Sequence, residues 1–195
     1  MKTLWVASRN RHKLQEIAAI LGPNVTLKSL LDRPDIPDVD ENASTYLENA
    51  RLKAQAIWAA VREPVVADDS GLEVDALGGR PGVHSARYSA PNPSAAKNIT
   101  KLLGELGDLP AEKRSARFRC TVVYFDESGR EHTFAGTLEG RIGTAPCGAG
   151  GFGFDPVFWL DDRGCMVAEL SDDEKNRISH RGRAFAQLKT FLQVP

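Results

Sequence analysis

Apolar residues recur along this chain at two spacings, and together they predict strands alternating with helices. Residues 3–7, Thr-Leu-Trp-Val-Ala, form a short apolar run suited to a buried strand. After a polar stretch, Leu14, Ile17, Ala18 and Leu21 fall on one helical face, and Gly22-Pro23 ends that helix. Residues 32–42 are acidic and interrupted by proline. Thr45 and Glu48 then form a capping box for a second helix, whose buried stripe is Leu47, Ala50, Ala54, Ile57, Trp58 and Val61. Val65-Val66-Ala67 reads as a strand that ends at Asp68-Asp69-Ser70-Gly71, where Asp-Ser-Gly has turn chemistry. Residues 77–92, rich in Gly, Pro and Ser, read as an ordered loop carrying Arg80, Arg87 and Tyr88. Ala96, Ile99, Leu102, Leu103 and Leu106 mark a third helix. Residues 116–125 and 131–138 predict an antiparallel hairpin around Asp126-Glu-Ser-Gly129, expected to form a second lobe. A last helix carries Ala184, Phe185, Leu188, Phe191 and Leu192. The fold class this predicts is α/β, with a mixed central sheet and flanking helices.

Composition narrows the picture. At 195 residues, 42% apolar and 26% charged, the chain supports one sizeable core or two tightly packed lobes within a single domain, 1–195. A formal charge of −1 gives no global attraction to nucleic acid or anionic membrane, so neither is expected as a partner. Any bound polyanion must be small and held by a local basic cluster. Cys120, Cys147 and Cys165 are odd in number and include no CxxC pair, which argues against a disulfide framework or structural zinc and for a reducing, cytoplasmic setting. The apolar run before Arg9 is too short for a signal segment or a membrane span.

Four polar clusters carry the candidate chemistry. Residues 149–156, Ala-Gly-Gly-Phe-Gly-Phe-Asp-Pro, interleave glycines with Phe152 and Phe154, whose rings offer faces for a flat base; a tight hairpin or bulge uses the same residues. Ser8-Arg-Asn-Arg-His-Lys13 stands between a strand and a helix N-terminus, a geometry that attracts phosphate, although the glycines of a P-loop are absent and a simple N-cap fits too. Asp68 and Asp69 are adjacent carboxylates that need a cation or donors to offset them. With Asp40 and Glu41 they suggest a hard-cation site, and an Asx turn is the plainer alternative. Lys175, His180 and Arg181 place three cationic donors within seven residues, suited to the oxygens of a base or phosphate.

With these motifs the chain resembles the inosine triphosphate pyrophosphatase family nearly end to end. The matching segments are Ser8-Arg-Asn-Arg-His-Lys13, Glu48-Asn-Ala50 with Lys53, Ala67-Asp-Asp-Ser-Gly-Leu72, Leu77-Gly-Gly-Arg-Pro-Gly82, Ser85-Ala-Arg-Tyr88, Gly150-Gly-Phe-Gly-Phe-Asp-Pro156, and Glu174-Lys175 followed by Ser179-His-Arg181. One departure is Arg9, where many relatives have glycine. The resemblance implies a two-lobed α/β protein around a long cleft, a homodimer and a requirement for Mg2+. It also implies hydrolysis of ITP, dITP and XTP to the nucleoside monophosphate and pyrophosphate, which cleanses the nucleotide pool. Carried over by position, it implies that Ser8, Arg9, Asn10, Arg11, His12, Lys13 and Lys53 hold the triphosphate and that Ser70 contacts substrate. Asp69 is then the general base and a metal ligand, with Glu41 a further metal ligand. Phe152, Gly153, Phe154, Asp155, Lys175, His180 and Arg181 hold the base. A pyrophosphatase of pyrimidine or methylated nucleotides shares the phosphate and metal parts, and a nucleotide sensor without turnover is the alternative from another class.

Overall fold

The computed structural model describes residues 2–193. Its strands are β1 (Lys2–Val6), β2 (Val25–Ser29), β3 (Val65–Val74), β4 (Pro81–Gly82), β5 (Ser115–Phe125), β6 (Glu131–Ile142), β7 (Phe158–Leu160) and β8 (Cys165–Met166). Five α-helices accompany them: α1 (Arg11–Leu21), α2 (Tyr46–Val61), α3 (Ala95–Leu106), α4 (Asp172–Ile178) and α5 (His180–Phe191). The strands hydrogen-bond in the order β2-β1-β3-β5-β6-β7-β8, with β4 on β3. Strand β1 runs parallel to β2 and β3, whereas β3–β4, β6–β7 and β7–β8 are antiparallel, so the sheet is mixed and the α/β expectation holds.

The chain divides into two compact units, the first taking residues through Asp69, then 120–136, then His180 onward. Two apolar clusters build it. Leu4, Val6, Ile17, Leu21, Val66 and Val122 pack with Ala184, Phe185 and Leu188 of α5. Trp5, Ala7, Ala50, Ala54, Ile57, Val65 and Ala67 form the other, with the expected stripe of α2 at its centre. That helix opens as its sequence predicts, with Thr45 Oγ1 accepting the Glu48 amide at 3.2 Å. The second unit, residues 70–119 and 137–179, has its own core of Leu72, Leu102, Ala116, Phe118, Leu138, Phe158 and Leu160 among others.

Three expectations need correction. The hairpin is not confined to a second lobe: its turn end, 120–136, belongs to the first unit and its open ends to the second. Strands of 11 and 12 residues extend about 36–40 Å at the usual rise, and each has residues in both units. Strand β3 does not end at Asp68-Asp69-Ser70-Gly71 but continues to Val74. An Asx turn requires the carboxylates to bind their own backbone, and here side-chain donors hold both, leaving the main chain to the sheet. Phe191 leaves the buried face of α5; it is 47% exposed and lies against His132, with ring centroids 4.5 Å apart.

Candidate functional site

The first unit gathers charge around β3. Successive strand residues point to opposite faces, and the two adjacent carboxylates accordingly have different partners. Asp69 Oδ2 accepts Asn49 Nδ2 at 3.1 Å, and Asp69 Oδ1 lies 4.0 Å from Lys53 Nζ. The same ammonium meets Glu41 Oε2 at 3.0 Å and donates to the Asp68 carbonyl at 2.8 Å. Burial, the largest influence, raises the Asp69 carboxyl above its ordinary range; Lys53 opposes that, Glu41 adds to it, and the Asn49 hydrogen bond opposes it. Asp68 is the contrasting case. Burial alone would raise it, yet Lys13, Arg181 and Lys53 hold it well below the usual carboxylate range.

Asn49 was missed as a site residue, although its spacing carried a signal. The Thr45 cap fixes the start of α2, and Asn49 and Lys53, four residues apart, share a helical face. Both are buried, at 0% and 8% exposure, where a polar side chain needs a partner.

Residues 8–13 run from the end of β1 into the first turn of α1, the strand-to-helix position that the sequence predicts. Asn10 is the N-cap, its Oδ1 accepting the amides of His12 and Lys13 at 3.0 and 3.3 Å, while Ser8 Oγ accepts the Asn10 amide at 3.1 Å. Lys13 turns its ammonium to Asp68 Oδ2 at 3.1 Å. Arg11 and His12 are exposed. Arg9 pairs with Asp38 and donates to the Ile36 carbonyl, which ties the acidic loop to this segment. The residue that departs from the glycine of many relatives therefore anchors the loop leading to Glu41.

His180 and Arg181 open α5, both buried. Arg181 is committed within the first unit, with Nη2 3.1 Å from Asp68 Oδ2 and Nη1 2.7 Å from Glu16 Oε2. Burial opposes its charge, but Asp68 and Glu16 keep the guanidinium protonated.

The second unit contains the glycine-aromatic segment. Asp155 Oδ2 accepts the Phe152 amide at 2.8 Å and Lys175 Nζ at 2.6 Å, and that ammonium sits 4.6 Å from the centroid of the Phe152 ring. The Asp155–Lys175 pair is about 95% buried on both sides; removing one partner of such a pair typically costs about 3–5 kcal/mol. Phe154 is a core residue of this unit, so of the two rings only half-buried Phe152 is placed to stack on a ligand. Gly153 follows it at a φ of 66°. Ser70, which begins this unit's stretch of β3, is half-buried. Arg80 and Tyr88 are structural here, both meeting Glu105 of α3.

Gly151 keeps this segment tight, with a φ of 69°. A Cβ there would overlap Asp155 Oδ2, and a side chain at positive φ is strained by about 1–3 kcal/mol. Gly151→Ala is expected to lower Tm by about 2–12 °C at the usual 2–4 °C per kcal/mol for a chain of this size. Calorimetry checks it, and an unchanged Tm would show that the turn relaxes freely.

Among the described residues no three His, Cys, Asp or Glu side chains gather as a metal cage, and no helix is long and apolar enough to cross a membrane. Comparison with known proteins gives consistent matches. The Ham1 family model matches residues 4–191. A protein of Geobacillus kaustophilus named dITP/XTP pyrophosphatase is 51% identical over 96% of this chain and 93% of its own length. A Geobacter sulfurreducens protein of the same name is 51% identical over 98% of this chain and 97% of its own. The solved structure of a HAM1 protein from Coxiella burnetii superposes with a TM-score of 0.89 at 37% identity, covering 99% of both chains.

Proposed function

This chain belongs to the Ham1 family, and we propose that it hydrolyses the non-standard purine nucleoside triphosphates ITP, dITP and XTP. The products are the nucleoside monophosphate and pyrophosphate, and the reaction depends on Mg2+. The observation that carries this reading is the meeting of Asp69 and Glu41 at Lys53, with Asn49 bonded to Asp69 and Lys13, from the start of α1, paired with the adjacent Asp68.

The donor set fits Mg2+. Asp69 and Glu41 are hard oxygen donors, and this ion commonly takes one or two carboxylates, with water and substrate phosphate completing its shell. Charge points the same way. Asp68, Asp69, Glu16 and Glu41 are four carboxylates against the three cations Lys13, Lys53 and Arg181, one net negative charge to which a triphosphate would have to be added. Bound Mg2+ supplies the neutralisation that this balance lacks and screens the developing charge on the phosphate oxygens. The chain's own residues do the remaining work. Lys13 and Lys53 hold phosphate oxygens, Asn49 orients the Asp69 carboxylate, and Asp69 takes the proton of the attacking water. Its raised affinity for a proton suits that role. In the second unit Lys175, fixed by Asp155, and the ring of Phe152 recognise the base. By the same family reading the enzyme acts as a cytoplasmic homodimer.

Pyrophosphate release from ITP, XTP, dUTP and TTP, with Mg2+ and with a chelator, tests the proposal. Release from ITP and XTP alone, abolished by the chelator, is the expected result. Preference for dUTP or TTP would favour a pyrimidine pyrophosphatase, and binding without release a sensor.

A further inference from the structure

We propose that Asp68 is a positioning residue that holds the Lys13 ammonium ready for the triphosphate, supported by Arg181 and Glu16; this rests on the phosphate-binding reading of Lys13. Three cationic N–H donors converge on one oxygen, Asp68 Oδ2: Lys13 Nζ at 3.1 Å, Arg181 Nη2 at 3.1 Å and Arg181 Nε at 3.4 Å. The other edge of the guanidinium reaches Glu16 Oε2 at 2.7 Å. Side-chain exposure is 1% at Asp68, 3% at Arg181, 13% at Glu16 and 18% at Lys13, so the lysine is the member most open to a ligand.

Each part follows from the chemistry of its group. Lysine has a long flexible stem, and an ammonium that must be ordered when substrate binds weakens binding by the freedom it loses. Fixing it on a buried carboxylate moves that loss to folding. A carboxylate facing Lys13 alone would hold its ammonium tightly; a second cation on the same oxygen divides that attraction, so Lys13 is placed without being fully committed, while Glu16 balances the charge of Arg181. Arg181 suits that task, because its planar fork serves Asp68 with one edge and Glu16 with another. Glu16, one helical turn after Lys13 on α1, sets the rotation of the fork. Asp68 therefore serves the phosphate and not the metal, although it adjoins Asp69.

The test is a double-mutant cycle with ITP, reading KM, kcat and the half-saturating Mg2+ concentration for K13A, D68N and the double variant. D68N is expected to raise KM about 2- to 12-fold, the effect of freeing one rotamer-rich side chain, with kcat changed less than about threefold. The double variant should be no worse than K13A, and the Mg2+ requirement of D68N should equal that of the wild type. Effects of K13A and D68N that multiply, or a shifted Mg2+ requirement in D68N, would overturn the proposal while leaving Lys13 as a phosphate ligand. An unchanged KM in K13A would overturn the phosphate reading of Lys13 and this proposal together, leaving the base role of Asp69 untouched. Should D68N fail to fold, E16Q carries the test: a raised KM that vanishes in the K13A background supports the chain of contacts, and an unchanged KM overturns it.

Discussion

Asp69→Asn is expected to lower kcat by at least ~10²-fold, the lower range for loss of a general base, while leaving the fold intact or more stable. Asparagine keeps the shape and leaves an oxygen for Asn49 Nδ2, which now donates to Asp69 Oδ2 at 3.1 Å. What disappears is the proton acceptor and one donor to the metal. The stability arm follows from the sign of the shift. Burial, and Glu41 with it, raise the Asp69 carboxyl above its ordinary range despite Lys53 and Asn49, so at neutral pH its ionised form is held less well in the folded chain than in the unfolded one. A neutral amide removes that disadvantage, and Tm should stay level or rise. A residue whose removal lowers activity while stabilising the protein is serving chemistry and not the fold. Turnover near the wild-type level with Mg2+ would exclude Asp69 as the base.

This division between chemistry and fold also governs what the sequence could reveal. Helix α2 was legible because its stripe repeats at helical spacing and Thr45 with Glu48 marks its start; Ala50, Ala54 and Ile57 are fully buried as that pattern requires. The hairpin of β5 and β6 was legible from strand-forming residues on either side of the turn Asp126-Glu-Ser-Gly129. Strand β2, Val25–Ser29, was not: its alternation rests on only two apolar residues, Val25 and Leu27, too short a pattern to stand out, and its middle residues are exposed or half-buried. Nor was α4, a short helix whose apolar face amounts to little more than Ile178. Within the site, motifs identified the residues but not their partners. Side chains 113 positions apart, Asp68 and Arg181, meet through packing that no local spacing encodes. The same packing takes Phe154 into the core and leaves Phe152 half-buried, although the two rings are nearly equivalent in the sequence.

Selectivity among purines is expected to reside at Lys175 and not at the stacking ring. An ammonium carries donors and no acceptor, so it can meet the C6 oxygen of hypoxanthine or xanthine but not the C6 amino group of adenine. Against such a group ATP buries a donor facing a donor, at about 1–3 kcal/mol, or roughly 5- to 150-fold in kcat/KM. Asp155 strengthens the discrimination by fixing the ammonium at 2.6 Å, so that it cannot swing aside for the wrong base. Guanine shares the C6 oxygen, and its exclusion requires that its 2-amino group find no acceptor; xanthine, with an oxygen at C2, escapes that test. The Phe152 ring offers every purine the same face. Phe152→Ala should therefore lower kcat/KM for ITP, XTP, GTP and ATP by similar factors, whereas Lys175→Met should narrow the gap between ITP and ATP. Methionine retains most of the stem, but it leaves Asp155 without its ammonium, so the comparison is of ratios within one variant and not of absolute rates. Comparable wild-type efficiency on ITP and GTP, or an ITP to ATP ratio unmoved by Lys175→Met, would place the selectivity elsewhere.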